Sequence, residues 1–223
     1  RRRHTRYISV TGVQTCALPI CPDVEQAIDA VRQMGGTVVG YAGSMGLPNA
    51  LDVLLDAVRL LMSRPAGPQE KPLRIILVGD GHERQRLVAR IAAEGLSHVT
   101  WLTPIPKAQI PTFLSAIDIA YIGWQRVPIY RFGIAPNKLM DYMMASRAVL
   151  HSVEAGNDPV AEAGCGLTVP PEDPAAVASG LRQLAQLSPK DRRVLGDKGR
   201  AFVMAHHTYP VLAQRFVDAV RPR

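Results

Sequence analysis

Two glycine-punctuated segments carry the residues whose chemistry is most specific. In YAGSMGLPN (Tyr41 to Asn49), Gly43 and Gly46 let backbone approach a ligand closely just after an apolar run. The helix expected to follow offers unpaired N–H groups, which suit a phosphate. Spacing alone leaves a structural turn equally open, because the pattern is neither GxGxxG nor a P-loop. In FGIAPNKLMDYMMA (Phe132 to Ala145), Gly133 and Pro136 precede a second helix. Its start could face a diphosphate, and Lys138 could neutralise one. Asp141 lies about one and a half turns in, where a carboxylate can accept both hydroxyls of a ribose. A solvated helix carboxylate and a surface lysine are the competing readings. Thr103, Pro104 and Ile105 form a possible apolar shelf for a base. Asp80 sits in a tight turn. The six histidines (His4, His82, His98, His151, His206 and His207) and the three cysteines (Cys16, Cys21 and Cys165) show no metal-ligand spacing. Reduced thiols in a cytoplasmic protein are expected.

These loops need a scaffold, and the sequence supplies one. Continuous apolar runs at 37–43, 73–79, 98–102, 118–124, 148–152 and 166–169 predict strands. Runs without polar alternation imply burial on both faces, hence a parallel sheet covered by helices. Helical periodicity falls between them: 23–34, then from Pro48 to about Leu61, 83–94, 109–116, 136–145, 174–187, 189–205 and 209–220. Pro65 to Pro72 reads as a polar loop. Strand and helix alternate throughout, so the fold class is α/β, a Rossmann-like parallel sheet with helices on both faces. Ligands of such sheets bind beyond the carboxyl ends of the strands, which is where both glycine segments fall.

Bulk properties narrow the classes. The chain has 223 residues and a net charge of +7, enough for one large α/β domain. Residues 1–20 hold four arginines and no acid, leaving 22 basic against 19 acidic residues. That small excess argues weakly for nucleic acid, which is not expected as a partner, and is compatible with an anionic small ligand. No apolar run approaches the roughly 20 residues that span a bilayer. Val10 to Ile20 (VTGVQTCALPI) resembles the in-frame translation of a short-read sequencing adapter. Residues 1–20 are therefore expected to be a non-native leader, with upstream coding sequence lost.

The collinear order GYAGSMG, LRIILVGDGHERQRL, IPTFLSAIDIAYIGW, GIAPNKLMDYMMASRAVLHS and EAGCGLTVPPEDPAAVASGLRQL is similar to the C-terminal, donor-binding domain of retaining GT-B glycosyltransferases. Within that family (glycosyl transferases group 1, family 4) it resembles the bacterial surface-polysaccharide enzymes, over about residues 37–220. The resemblance implies that 37–205 bind a nucleotide-diphosphate sugar, that 21–36 are the remnant of an interdomain segment, and that 206–223 form a C-terminal helix. It implies that Gly43 and Gly46 line the diphosphate and that Pro104 and Ile105 pack on the base. Gly133, Ile134, Ala135, Pro136 and Asn137 would present backbone to sugar and phosphates, and Asp141 would grip the ribose in place of a family glutamate.

The chain departs from the family pattern twice. The first glutamate of the family's E-x7-E motif should fall near Gly133, and the Arg/Lys pair of the first glycine loop is missing from Ser44 to Gly46. Arg126, Arg131 or Lys138 would then supply charge, with Lys138 and Arg131 assigned to leaving-group stabilisation. The expected activity is hexosyl or N-acetylhexosaminyl transfer without metal or other cofactor. The acceptor, a glycan or a lipid-linked one, would be held by a missing N-terminal domain, so the chain is expected to be truncated and inactive alone. A cytoplasmic site follows, with peripheral contact on the inner membrane face. The alternatives are a GT-B-fold nucleotide-sugar 2-epimerase, which needs more acidic and histidine groups in the cleft, and a non-catalytic flavodoxin-like interaction module.

Overall fold

The apolar runs fold into strands that are buried along most of their length. They are β1 (Thr37–Ala42), β2 (Leu73–Val78), β3 (Val99–Leu102), β4 (Ile119–Gly123), β5 (Ala148–Ser152) and β6 (Gly166–Val169). The computed structural model describes residues 22–64, 67 and 72–221. The basic leader and nearly all of the Pro65–Pro72 loop lie outside the described residues. The strands form one six-stranded sheet in the order β3-β2-β1-β4-β5-β6, every pair parallel. This is the Rossmann order, and it confirms the fold class expected from the runs.

Helices cover both faces because residues alternate in direction along each strand. Val38, Ile76, Ala120, Ile122 and Val149 point into one core, with Val24, Ile28 and Val31 of α1 (Pro22–Gln33) and Phe113 and Leu114 of α4 (Ile110–Ser115). Leu139 and Met143 of α5 (Asn137–Met144), Val160 of α6 (Pro159–Ala163) and Val203 of α8 (Pro189–His206) complete that core. Val39, Tyr41, Ile75, Leu77, Ile119, Tyr121 and Leu150 point the other way. They meet α2 (Leu51–Ser63), α3 (Arg84–Ala93) and α7 (Pro174–Gln186). The last helix, α9 (Tyr209–Val220), buries none of its residues.

Segment 21–36, expected as an interdomain remnant, thus supplies a helix whose apolar stripe enters the core. Pro48 does not open α2, as its type had suggested. It lies in a 3-10 turn, Leu47–Asn49, and Ala50 with φ 46° separates that turn from the helix. The turn directs Asn49 inward, with 8% of its surface exposed. Two further 3-10 turns, Lys107–Gln109 and Pro128–Phe132, and the five-residue α6 had no counterpart in the periodicity.

The chain reverses direction across the sheet between β1 and β4. The order runs outward from β1 through β2 to β3, then returns to β4 on the far side. The β1–β4 ladder is short, matching Val39 with Ile119 and Gly40 with Ala120, whereas β1 and β2 match over six residues. At its lower end Asp118 reinforces it: its N–H donates to the Val38 carbonyl and its carboxylate accepts from Val38 N–H, each at 2.8 Å. Above the ladder the loops after β1 and β4 lead to helices on opposite faces and are tied once, by Gln125 N–H donating to Pro48 O at 3.0 Å; such a switch of face is where a parallel sheet opens a crevice.

Candidate functional site

The first wall of the crevice is the loop after β1, and the loop after β2 fixes its shape. Gly43 N–H donates to Val78 O, Met45 N–H to Asp80 O, and Glu83 N–H to Met45 O. Gly79 must be glycine for this: its φ is 145°, and an added Cβ would lie 1.9 Å from Gly43 O. The tight turn expected around Asp80 thus holds the Gly43 loop in place.

The second wall is the start of α5. Pro136 sits at its N-cap with no side-chain capping bond; Leu139 N–H donates to Pro136 O at 3.1 Å, and the N–H groups of Asn137 and Lys138 ahead of it have no intrahelical carbonyl. The preceding loop is stapled from below. Asn157 Nδ2 donates to Ile134 O at 3.0 Å, and its Oδ1 accepts from Ile134 N–H at 2.7 Å. Gly156 N–H donates to Tyr130 O. Gly133, with φ 104°, would bring a Cβ to 3.0 Å from Asn157 Oδ1.

Tyr142 fastens the two walls together. This buried side chain donates from its hydroxyl to Ala42 O at 3.1 Å and accepts from Ala42 N–H at 2.9 Å. Its neighbour Asp141, half-buried, thereby faces the same cleft as Gly43. That cleft, about 380 Å³, is lined by Ala42, Gly43, Lys107, Ile110, Trp124, Pro136, Asn137, Lys138, Asp141 and Tyr142.

Lys138 is the chemical centre. Its Nζ donates to Tyr41 Oη at 2.8 Å and to Asn49 Oδ1 at 2.5 Å. It also lies 4.7 Å from the centre of the Tyr41 ring and 5.7 Å from that of Trp124. Among the described residues no carboxylate comes within ion-pair distance of it. Burial pushes the amine down to about 8. Burial also pushes the Tyr41 and Tyr142 phenols above their ordinary range. The mostly buried Lys138 cation has only neutral groups as its hydrogen-bond partners.

The structure brings together Gly43, Pro136, Asn137, Lys138 and Asp141 from the expected set. Gly46 lies behind them and accepts from Asn49 N–H to close the 3-10 turn. Ile134 and Ala135 lead into the cleft wall. Pro104 is exposed and Ile105 packs partly on the core, while Lys107 and Ile110 from the same segment line the cleft. Arg131 is exposed and stacks on Phe132, and Arg126 pairs with Glu154 at 3.1 Å. Spacing missed Tyr41 and Asn49, because their meeting with Lys138 spans 97 and 89 positions of chain, and it missed Trp124, whose ring reaches Lys138 only through the fold of the loop after β4.

Known proteins resemble this chain in sequence and fold. The family model for glycosyl transferases group 1 matches residues 36–186. The chain is 22% identical over 219 residues to "Probable glycosyltransferase WbjE" of Pseudomonas aeruginosa, covering 97% of this chain and 52% of that protein. It is 25% identical over 211 residues to a D-inositol 3-phosphate glycosyltransferase of Corynebacterium urealyticum, covering 90% and 47%. It therefore spans about half the length of these relatives. Among solved structures, Anabaena HepE in complex with UDP and glucose superimposes with a TM-score of 0.65 at 18% identity, over 90% of this chain and 52% of that one. Sucrose-phosphate synthase from Thermosynechococcus elongatus gives 0.68 at 22% identity, over 86% and 47%. Both share the fold. The matched stretch runs from just before β1 to the end of α7 and takes in the whole sheet and every residue lining the cleft. The chain belongs to the glycosyl transferases group 1 family.

Proposed function

We propose that this chain binds the nucleoside diphosphate of a sugar donor in the cleft between the Gly43 loop and the start of α5, for glycosyl transfer to a glycan or lipid-linked acceptor. The Lys138 ammonium carries the reading: a cation held by neutral partners, facing a glycine loop and an uncapped helix start. A diphosphate supplies the missing negative charge, and the helix dipole adds to the attraction. Asp141 accepts from the ribose hydroxyls across the same cleft. The complex of HepE with UDP supports the ligand class by analogy of fold.

In the transfer step the acceptor's hydroxyl oxygen bonds to the anomeric carbon and gives up its proton to the departing diphosphate, while the bond between that carbon and the phosphate oxygen breaks and its electron pair leaves with the diphosphate. Lys138 and the α5 N–H groups stabilise that developing charge, and this requires no metal. Arg131, turned onto Phe132 at the rim, is left the lesser part. Retention follows the family pattern. Acceptor binding falls to sequence corresponding to the other half of the relatives' length. Among the described residues no helix is long and apolar enough to cross a membrane; a cytoplasmic, peripherally associated protein fits the proposed donor chemistry.

Calorimetric titration with UDP and GDP tests the reading. One of them should bind, and Asp141→Asn should weaken it by roughly tenfold, the scale of a charge-assisted hydrogen bond. Well-folded protein that binds neither removes the donor-site assignment.

A further inference from the structure

The neutral cradle around Lys138 has a role of its own. The Tyr41 hydroxyl has one proton, and it donates this to Ser44 O at 2.5 Å. Its lone pairs therefore face Lys138 Nζ, which donates to it. Asn49 presents its amide oxygen to the same nitrogen. An ammonium has three N–H groups. Two are spent on Tyr41 and Asn49, and the tyrosine and tryptophan rings wall further sides. The open side is toward Gly43, where a Cβ would sit 3.2 Å from Nζ.

We infer that Tyr41 and Asn49 are positioning residues that hold Lys138 without an internal counter-ion, so that its third N–H points to the phosphate of a bound nucleoside diphosphate. This rests on the donor-site reading above and adds how the cation is set for it. Neutrality of the cradle is the essential property. A carboxylate at either position would satisfy the ammonium internally and compete with the phosphate. The remaining charged groups on the cleft are Lys107 from the turn after β3 and Asp141 from α5. The phenols of Tyr41 and Tyr142 stay protonated across the relevant range because burial raises them. Proton uptake near pH 8 to 9 is therefore assigned to Lys138.

Titrate UDP and GDP into the protein at pH 7 and pH 9, each in two buffers of different ionisation enthalpy. For the nucleotide that binds, wild-type affinity should fall by up to about tenfold per pH unit above 8, with proton uptake at pH 9 approaching one per site. Asn49→Asp should weaken binding at pH 7 by roughly tenfold and abolish the difference in uptake between pH 7 and 9. Tyr41→Phe keeps the ring and loses the oxygen, and should weaken binding by about three- to tenfold. Thermal melts confirm that each variant is folded, and either variant alone decides if the other fails to fold. Wild-type binding without proton uptake at pH 9 overturns the inference, as does a folded variant with wild-type affinity and pH profile. Wild-type protein that binds neither nucleotide fails at the earlier step, the donor-site reading itself.

Discussion

At the scale of single residues, Lys138 sets a trade between stability and binding. Its amine is lowered from 10.5 to about 8 by burial. In the unfolded chain it keeps its proton to higher pH, so between about 8 and 10.5 the unfolded state binds more protons than the folded one. Stability must then rise with pH through that window. The charged lysine costs the ligand-free fold on the order of 3 kcal/mol below pH 8. Lys138→Met should remove this dependence and raise the melting temperature at pH 7 while sacrificing UDP binding. Paired melts of wild type and variant at pH 7 and 10 measure it; equal pH slopes for the two proteins would show that the lysine is not buried as a cation. This tension was invisible in the sequence. Lys138 could be named as a phosphate-neutralising residue from its place before a helix. Tyr41 read as one more core residue of a strand, and Asn49 as one polar position after Pro48. Only the fold brings their side chains to one nitrogen.

At the scale of elements, helix ends decide more than helix interiors. Arg192 of α8, buried to 6% exposure, reaches back to the end of α7. One Nη donates to the carbonyls of Leu184, Ala185 and Leu187, the nearest at 2.7 Å. These are the orphan acceptors of a helix C-terminus, and a guanidinium there also meets the negative end of the dipole. Arg192→Met should cost about 1–3 kcal/mol, read as a lower urea midpoint with unchanged UDP affinity. Elements with long apolar periodicity were legible from sequence: β5 and β6 have the bounds their runs predict, and α8 and α9 differ by no more than a residue. The failures have a common cause. The 3-10 turn Leu47–Asn49, the turn Pro128–Phe132 and the five residues of α6 are too short to show a period. Local chemistry still marked α6, where Asp158 accepts from Val160 and Ala161 N–H groups and Pro159 takes the first turn. Pro48 misled because proline suits the opening of either helix type.

At the scale of the molecule, one short ladder joins two sets of strands that are each matched over longer stretches. β1, β2 and β3 are matched over six and four positions, and β4, β5 and β6 over five and four. Between the sets stand the two matched pairs of the β1–β4 ladder, Asp118 beneath and the Tyr142 hydroxyl above. Sequence alone declared a parallel sheet but not where its order reverses, since strand neighbours are chosen by packing rather than by runs of apolar residues. The weakest seam of the sheet thus runs directly under the cleft, with the Gly43 loop on one bank and Lys138 on the other. A molecule that grips both banks acts as a rivet. Bound UDP should slow amide hydrogen exchange most at Gly40, Tyr41 and Ala120, and far less in β3 or β6, because unzipping at the seam must first break the rivet.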